Sequence, residues 1–389
     1  MEQKVMFVGV DVDSKNFHFA GICRNSGEVI EGKSRPNAKS LSECFDKLRK
    51  SGWEIRSCYE ITYIGFSLFR QMKELGYECT PIAASLMPKV PGDRVKTDRK
   101  DSLKLADFFM KGLLEPVHIP DENDERARDL LRAYQFTRLQ IKRQKQQIIS
   151  SCYRLGVDYR QETGLREYWS KAHRRWIDSL INKSEFSITQ THFKLLLRVL
   201  HQLEETLSVY ENEIDLLSKN EKYTVAHKAL SCYRGINSIF AMKIILELGD
   251  IKRFNHPSKL VSYIGLDISE YSSGGVERKG RITKLGNVVL RTALIEACQS
   301  AKRRPQVHVT LKRRRKEVSI EFIDIADRCM NRLYKKAQGL IMREKPVNKV
   351  KVACAREMIG FIWESLTKVA NTEAKRESVD WIAREVELG

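Results

Sequence analysis

The sequence predicts an α/β domain at the N-terminus and a mostly helical remainder. Before about residue 114, short apolar runs that suit buried strands alternate with segments of helical spacing. Beyond that point, apolar residues recur at three- and four-residue intervals over long stretches. Hydrophobic residues make up 42% of the 389, which is enough apolar surface for more than one core. The predicted fold class is therefore α/β plus all-α.

The order of the N-terminal elements predicts how the strands pair. Three strand-like runs come first, and helix and strand then alternate. Strands in direct succession form antiparallel hairpins, whereas strands joined through a helix run parallel, so this order predicts a mixed sheet of the ribonuclease-H type. The predicted strands are 7–12, 17–23, 29–30, 55–60 and 77–82, and the predicted helices are one that Ser40 caps and one over 66–75 that ends at Gly76.

Composition shifts divide the chain into four predicted segments. The α/β domain covers 1–114, and a Pro-containing linker covers 115–122. A helical, coiled-coil region covers 123–225, and a C-terminal, mostly helical domain covers 226–389. The second long helix of the central region has apolar residues spaced alternately four and three apart, as in a coiled coil. Two interpretations are equally open, an antiparallel hairpin with the first helix or a subunit interface, and the seam residues are Leu196, Leu200, Leu203, Leu207, Tyr210, Ile214 and Leu217.

Charge points to a polyanionic partner. The formal net charge is +19, and cations near phosphates release condensed counterions, which favours nucleic-acid binding. No run approaches the roughly 20 apolar residues of a membrane-spanning helix, and no secretory signal is visible. The nine cysteines are dispersed without a C-x-x-C pair, which is typical of reduced thiols in a cytosolic protein.

Four acidic residues form the first candidate site. Asp11 lies in an apolar strand and points away from Val10 and Val12, and Glu60 ends another strand. Asp98 and Asp101, three apart at the start of a helix, share one helix face. Carboxylates without a His/Cys cluster favour Mg²⁺ or Mn²⁺, and a pair of such ions about 4 Å apart can activate one oxygen and stabilise another. Alternatively, each acid caps a turn or complements a helix dipole.

A glycine- and serine-rich segment forms the second candidate site. Ser272 and Ser273 precede two glycines, whose backbone can approach a phosphate closely. The cations that follow can neutralise a nucleic-acid backbone; they are Arg278, Lys279, Arg281 and Lys284. A serine needs activation to act as a nucleophile, and no obvious base is adjacent in sequence. From the residues alone, a solvated basic hairpin that only binds nucleic acid is the favoured interpretation.

Both candidate sites together resemble one family, the insertion-sequence transposases typified by insertion sequence one-ten, with relatives among the Piv-type invertases. The resemblance spans most of the chain. The matching stretches are Gly9-Val10-Asp11, Tyr59-Glu60-Ile61-Thr62, Lys96-Thr97-Asp98-Arg99-Lys100-Asp101, Gly265-Leu266, Ser272-Ser273-Gly274-Gly275, and the segments 280–287 and 349–356.

The resemblance implies a RuvC-like domain with a D-E-D-D tetrad of Asp11, Glu60, Asp98 and Asp101, and a transposase domain with Ser273 as nucleophile. Ser272 is the competing choice for that role. It further implies donor and target DNA, a noncoding guide (bridge or seeker) RNA, Mg²⁺ or Mn²⁺, a homo-oligomer (dimer or tetramer), no membrane partner and a cytoplasmic, nucleoid-associated location in a bacterial or archaeal cell.

The chain departs from the family pattern at two places. The family's Pro-Gly-Ile-Gly hairpin appears as Arg234-Gly235-Ile236-Asn237, which puts a standard phosphate grip at this turn in doubt. The usual Gly-Leu-x-Pro has Ile268 in place of proline. Neither departure falls on a predicted catalytic position.

Three functions are weighed. The main hypothesis is an RNA-guided DNA recombinase that cuts and rejoins DNA through a phosphoserine link, assisted by metal. Because Ser273 is distant from the tetrad in sequence, a composite site, within one chain or shared between subunits, is an arrangement we consider. The alternative enzyme is a structure-selective nuclease that uses metal-activated water, and the non-enzymatic alternative is a nucleic-acid scaffold.

Overall fold

The computed structural model describes residues 4–83, 87, 97–272 and 277–388, with side chains described as far as residue 372. The chain forms two compact units, Met1–Pro120 and Asp121–Gly389. The first unit contains β1 Lys4–Val12, β2 Phe17–Cys23, β3 Val29–Ser34, α1 Ala38–Lys50, β4 Trp53–Glu60, α2 Ser67–Glu74, β5 Glu78–Ile82 and α3 Asp98–Met110.

The first unit is built on a five-stranded mixed sheet, which confirms the predicted fold class. The strand order is β3-β2-β1-β4-β5. β1 pairs antiparallel with β2, and β2 with β3, whereas β1 and β4, and β4 and β5, run parallel. Consecutive strands therefore form the antiparallel half, and the strands that helices connect form the parallel half, as the order of elements predicts.

Strand alternation gives this sheet two apolar faces. Val8, Val10 and Val12 of β1 lie on the face that α1 and α2 cover, in a core that includes Phe45 and Met72. Cys58 of β4 lies on the opposite face, in a second cluster with Leu105 and Phe108 of α3. Because odd-numbered β1 residues point to the α3 side, Asp11 lies on the face that carries α3.

The start of α1 differs from the prediction, whereas the end of α2 agrees with it. The prediction that Ser40 caps the first helix is wrong, because Asn37 is the cap and its side chain accepts from the Ser40 backbone N–H. Asn and Ser are both good caps, so the sequence does not discriminate between them. The end of α2 follows the prediction, with Gly76 at φ 77°, and the Tyr77 N–H donates to the Met72 carbonyl.

The second unit is helical apart from one short hairpin. A helical core near the C-terminus joins α9 and α10 with α13 and α14, through residues such as Ile244, Leu260, Cys329 and Ile359. The elements are α4 Glu122–Arg154, α5 Tyr159–Thr163, α6 Lys171–Lys183, α7 Ser187–Ser218, α8 Glu221–Ser231, α9 Ser238–Leu248, α10 Pro257–Ile264, β6 Ile268–Glu270, β7 Lys279–Ile282, α11 Val288–Ala297, α12 Val309–Arg314, α13 Ile320–Ile341 and α14 Val347–Leu388.

The predicted heptad seam of α7 packs within the chain. Ile214 near the end of α7 shares a cluster with Leu131 in the first half of α4, whereas Leu200 shares one with Ile148 near the end of α4. The two helices therefore run antiparallel, and the intramolecular interpretation of the seam describes the structure. Four large apolar side chains of α7 beside this seam are exposed, Leu195, Val199, Val209 and Leu216.

The cysteines are all free thiols. Eight of the nine are buried, and only Cys44 is partly exposed. Within the described ranges, no helix has the length and apolar character to cross a membrane.

Candidate functional site

The first two predicted acids lie at the ends of neighbouring parallel strands. In the β1–β4 register Val10 pairs with Tyr59, so Asp11 and Glu60, one residue further along each strand, occupy adjacent positions. Both side chains are partly buried. Each is one residue beyond a neighbour that points into the α1/α2 core, so both point to the α3 side of the sheet.

The other two acids lie in the first turn of α3, which packs against β1 at one glycine. A Cβ atom at Gly9 would meet the Ser102 carbonyl oxygen at 2.4 Å and the Ala106 nitrogen at 2.5 Å. Thr97 caps the helix, since its side chain accepts from the Lys100 N–H. Arg99 forms a 2.7 Å ion pair with Glu31 of β3. The glycine, the cap and the ion pair together hold the first turn of α3, with Asp98 and Asp101, against the strands.

His18 is a contact that the sequence analysis did not predict. It lies directly opposite Asp11 in the β1–β2 register. Its Nε2 is 3.5 Å from Asp98 Oδ2. His18 therefore lies opposite Asp11 on the neighbouring strand and also contacts Asp98 of α3. This supports the placement of Asp11 and Asp98 on one face of the sheet.

The chemistry of this donor set fits a divalent metal. Four carboxylates without sulfur or imidazole donors among them are the hard oxygen ligands that Mg²⁺ and Mn²⁺ prefer. Among the residues that the structure describes, no three His, Cys, Asp or Glu side chains form a group that could hold a metal as they stand. Asp11, Glu60 and Asp101 each have other interactions. The backbone places Asp11 and Glu60 on neighbouring strands, and Asp98 and Asp101 on the helix that packs against β1.

The second predicted site is the β6–β7 hairpin. Ser272 donates to Glu270 Oε1 at 2.6 Å and accepts from the Arg278 N–H at 3.3 Å. No obvious base is adjacent to the serines in sequence, and the Glu270 carboxylate is a base beside Ser272 in the structure. Ser273, the predicted nucleophile, lies outside the described residues, as do residues 274–276. The two hydrogen bonds of Ser272 connect the segment that follows β6 with the segment that precedes β7.

Two glycines lock the base of the hairpin to α10. A Cβ at Gly265, which has φ 72°, would lie 2.0 Å from the Leu285 carbonyl oxygen. A Cβ at Gly286, which has φ 112°, would lie 2.1 Å from the Tyr263 carbonyl oxygen. Two backbone segments thus pass so closely that no side chain fits between them. The Lys284 N–H, which donates to the Gly265 carbonyl, and the Asn287 N–H, which donates to Tyr263, add to this lock.

A buried carboxylate supports the same base. Glu247 of α9 is 4% exposed and accepts from Asn287 Nδ2 at 2.7 Å. Arg132 of α4 donates to it from Nε at 3.3 Å and from Nη2 at 3.4 Å. Asn287 also caps α11, because its Oδ1 accepts from the Leu290 N–H. Glu247 therefore connects the long helix α4 to the residue where the hairpin ends and α11 begins.

We expect Glu247→Ala to destabilise the second unit by about 1–3 kcal/mol, because the Asn287 amide loses its acceptor in a partly buried position. Glu247→Gln should cost less, since an amide oxygen can still accept from Asn287. Denaturant unfolding measures both, with Glu213→Ala, an exposed acid on α7, as the control. Equal unfolding free energies for Glu247→Ala and the control would contradict this role.

The four cations predicted to bind nucleic acid all lie on the hairpin or at its base. Arg278, Lys279, Arg281 and Lys284 are all exposed. Lys279 forms a 2.7 Å ion pair with Glu277, so part of its charge is already neutralised. Lys284 has φ 57°, in the turn between the two locking glycines.

The run 312–316, five consecutive cations, divides between surface and interior. Arg315 is buried, donates to the Cys232 carbonyl at 3.0 Å and pairs with Asp327. Arg314 donates to the Ile236 carbonyl. These two arginines therefore hold the turn between α8 and α9 and are not available as solvated surface charges. The remaining members of the run, Lys312, Arg313 and Lys316, are exposed.

Two protein-family profiles match the chain. Residues 8–152 match the DEDD transposase profile of IS110 elements. Residues 227–312 match the profile described as "Transposase IS116/IS110/IS902 family". The first match covers the predicted tetrad, and the second covers the hairpin.

Individual relatives agree with these matches. The y4qE protein of Sinorhizobium fredii, which carries the name of a transposase, is 31% identical over 359 residues, 92% of this chain and 87% of the relative. The transposase for insertion sequence element IS1533 of Leptospira borgpetersenii is 30% identical over 254 residues, 65% of this chain and 72% of the relative. With a RuvC-like sheet that implies dependence on a divalent metal, and with relatives that match over most of its length, the chain belongs to the IS116/IS110/IS902 family of transposases, enzymes that cleave and rejoin DNA.

Proposed function

We propose that this transposase cuts and rejoins donor and target DNA through a covalent phosphoserine formed at Ser273. The observation that supports this most is the anchored base of the hairpin. Two locking glycines and a buried carboxylate fix the backbone there, as a hairpin that positions a reacting group requires. Exposed Arg278 and Arg281 follow Ser273 in the sequence, on the β7 side of the hairpin, and can bind phosphates of the DNA backbone.

Each step conserves atoms and charge. The Ser273 hydroxyl attacks a DNA phosphorus, the Oγ–P bond forms, and the bond from phosphorus to the DNA 3′ oxygen breaks. The serine proton ends on the departing 3′ oxygen. In the reverse step a 3′-hydroxyl of another strand attacks the phosphoserine, which releases the serine and joins the new strand.

Asp11, Glu60, Asp98 and Asp101 would hold the divalent metal, and we propose Mg²⁺ or Mn²⁺ because all four donors are carboxylates. When bound, such an ion supplies Lewis-acid stabilisation of the charge that develops on phosphoryl oxygens. The protein's contribution is to keep α3 against β1 so that the four acids lie on one face of the sheet. His18 positions Asp98 from the neighbouring strand.

Guide RNA, oligomerisation and location are also proposals. The net charge of +19 and the basic helix α4 favour a noncoding guide (bridge or seeker) RNA as a second polyanion beside the DNA. The exposed stripe of Leu195, Val199, Val209 and Leu216 on α7 favours a homo-oligomer, dimer or tetramer. We propose that the protein acts in the cytoplasm, on the DNA of the nucleoid.

We expect Ser273→Ala to abolish the protein–DNA adduct, and Ser272→Ala to reduce it by about tenfold or less, because Ser272 closes the hairpin through hydrogen bonds of modest strength. The assay incubates protein, guide RNA, both DNAs and Mg²⁺, and detects a denaturant-stable adduct on a gel. The reverse pattern, loss in Ser272→Ala alone, would move the nucleophile to Ser272, where Glu270 is the adjacent base.

The same assay separates the alternative functions. Strand cleavage that persists in Ser273→Ala without any adduct would favour a structure-selective nuclease that uses metal-activated water. A wild-type protein that binds both nucleic acids and cleaves neither would favour a scaffold. Asp98→Asn is the variant that tests the tetrad in the same assay, because the amide keeps the shape of the Asp98 side chain and removes its negative charge.

A further inference from the structure

The loop between α11 and α12 has an unusually well-supported backbone. Arg234, from the turn between α8 and α9, donates from Nη1 to the carbonyls of Arg303 at 3.2 Å and Arg304 at 2.9 Å. Gln338 of α13 donates to the Lys302 carbonyl at 3.0 Å. Three consecutive carbonyl oxygens thus each accept from a side chain of another element. We call residues 302–304 the basic loop.

The position of Arg234 is itself fixed. The neighbouring Gly235 has φ 94°, and a Cβ there would lie 2.1 Å from the Ala297 carbonyl oxygen, at the end of α11. The turn therefore lies directly against the helix that leads into the basic loop. Arg234 stands where the family pattern has proline, which has no side-chain donor, so this brace is particular to chains with a long donor side chain here.

The cations of the basic loop point to solvent. Lys302, Arg303 and Arg304 are all exposed. In the parts of the chain that the structure describes, none of the three forms an ion pair. Burial lowers the pKa of Arg234, and the charge of Arg303 adds to the effect, which indicates that these two cations lie close together. An anion beside the loop would relieve this repulsion.

We propose that the basic loop is a phosphate-binding loop that contacts the sugar–phosphate backbone of the duplex DNA substrate. Helix α11 runs from the hairpin base at Asn287 to this loop. Ten helical residues span about 15 Å, comparable with about four base-pair steps. DNA held at the hairpin can therefore extend to the basic loop. The choice of DNA over RNA rests on the proposed function of the hairpin.

The test compares two triple substitutions with equal loss of charge. One is Lys302→Gln, Arg303→Gln and Arg304→Gln in the basic loop. The matched control is Lys39→Gln, Lys47→Gln and Lys50→Gln on α1, where all three lysines are exposed. Affinity of the full-length protein for a duplex DNA and for an RNA of equal length is measured over a range of salt concentrations.

The basic-loop triple should reduce the slope of log K against log salt by about two to three on duplex DNA, because each lost phosphate contact contributes about 0.9. The control triple should leave that slope nearly unchanged. Equal slope changes in both triple variants would show that the loop contributes to DNA binding only through the net charge of the protein, which would overturn the proposal. A change confined to RNA would also overturn it.

A single variant tests the brace. Arg234→Ala keeps all three cations of the basic loop but removes the donor to the Arg303 and Arg304 carbonyls. The loop backbone is then less fixed in the free protein, and DNA binding must order it. We expect DNA affinity to fall by about three- to tenfold with little change in the salt slope. An unchanged affinity in a protein with a normal melting temperature would show that the brace has no part in binding. The Ser273→Ala adduct assay is independent of these results, so a failure of the phosphoserine proposal is distinguishable from a failure here.

Discussion

Gly286→Ala should abolish recombination while the N-terminal unit keeps its stability. The added Cβ would lie 2.1 Å from the Tyr263 carbonyl oxygen, a backbone atom that cannot rotate away, and φ is 112°. The left-handed backbone and the overlap together should cost about 2–5 kcal/mol in the second unit. Since a shift of about 1 Å in a reacting group can lower a rate about 100-fold, adduct formation should fall by at least that factor.

A second glycine separates the two causes. Gly156 also has a positive φ, 77°, but a Cβ there would meet nothing within 4 Å. Gly156→Ala should therefore show only the conformational cost of about 1–2 kcal/mol and nearly normal adduct formation. Thermal unfolding and the adduct gel measure the two effects. If Gly286→Ala behaves like Gly156→Ala in both, the hairpin base does not depend on the close backbone approach.

Gly9→Val should produce the complementary result, with metal binding weakened and the hairpin unaffected. Its Cβ would meet the backbone of Ser102 and Ala106 at 2.4–2.5 Å, so α3 must move away from β1. That movement displaces Asp98 and Asp101 together. We expect a loss of about 1–3 kcal/mol in stability and at least a tenfold weaker affinity for Mn²⁺ by titration calorimetry.

The matched control for Gly9→Val is Gly21→Val, in the neighbouring strand of the same sheet. There the nearest atoms belong to the side chains of Ile30 and Met6, at 2.8 Å, which can shift to other rotamers without moving α3. This variant should lose stability but keep its Mn²⁺ affinity. Similar Mn²⁺ affinities for the two variants would show that contact between α3 and β1 does not organise the tetrad.

Sequence patterns predict elements well where one period dominates. The five strands and their parallel and antiparallel pairing followed from apolar runs and the order of helices, because each pairing is decided by the connection between two strands. The Ser40 cap was wrong because Asn37 competes for the same role within one helical turn. The partner of the α7 seam stayed open in sequence, since a heptad repeat specifies an apolar stripe and not the helix that covers it.

Side-chain roles that depend on distant contacts could not be predicted. Arg314 and Arg315 have the same sequence neighbourhood as the exposed Arg313, yet only they reach carbonyls about 80 residues away. Glu247 lies in a mostly apolar helix, and its amide donor, Asn287, and its guanidinium donor, Arg132, are 40 and 115 residues away in the sequence. The four acids of the tetrad could be identified from the sequence because they lie at the ends of two strands and at the start of a helix. Their metal-binding and catalytic roles remain predictions.

The free thiols have a practical consequence for labelling the protein. Burial raises the pKa of Cys79 to about 12 and that of Cys152 and Cys232 to about 11, so these sulfurs react slowly with maleimides at neutral pH. Cys23 differs, because a hydrogen bond from Ser26 lowers its thiol pKa, but it is only 3% exposed. Cys44 is the partly exposed thiol among the nine, so a Cys44→Ser variant with a single cysteine introduced at an exposed position such as Glu213 should accept a fluorophore or a photo-crosslinker selectively.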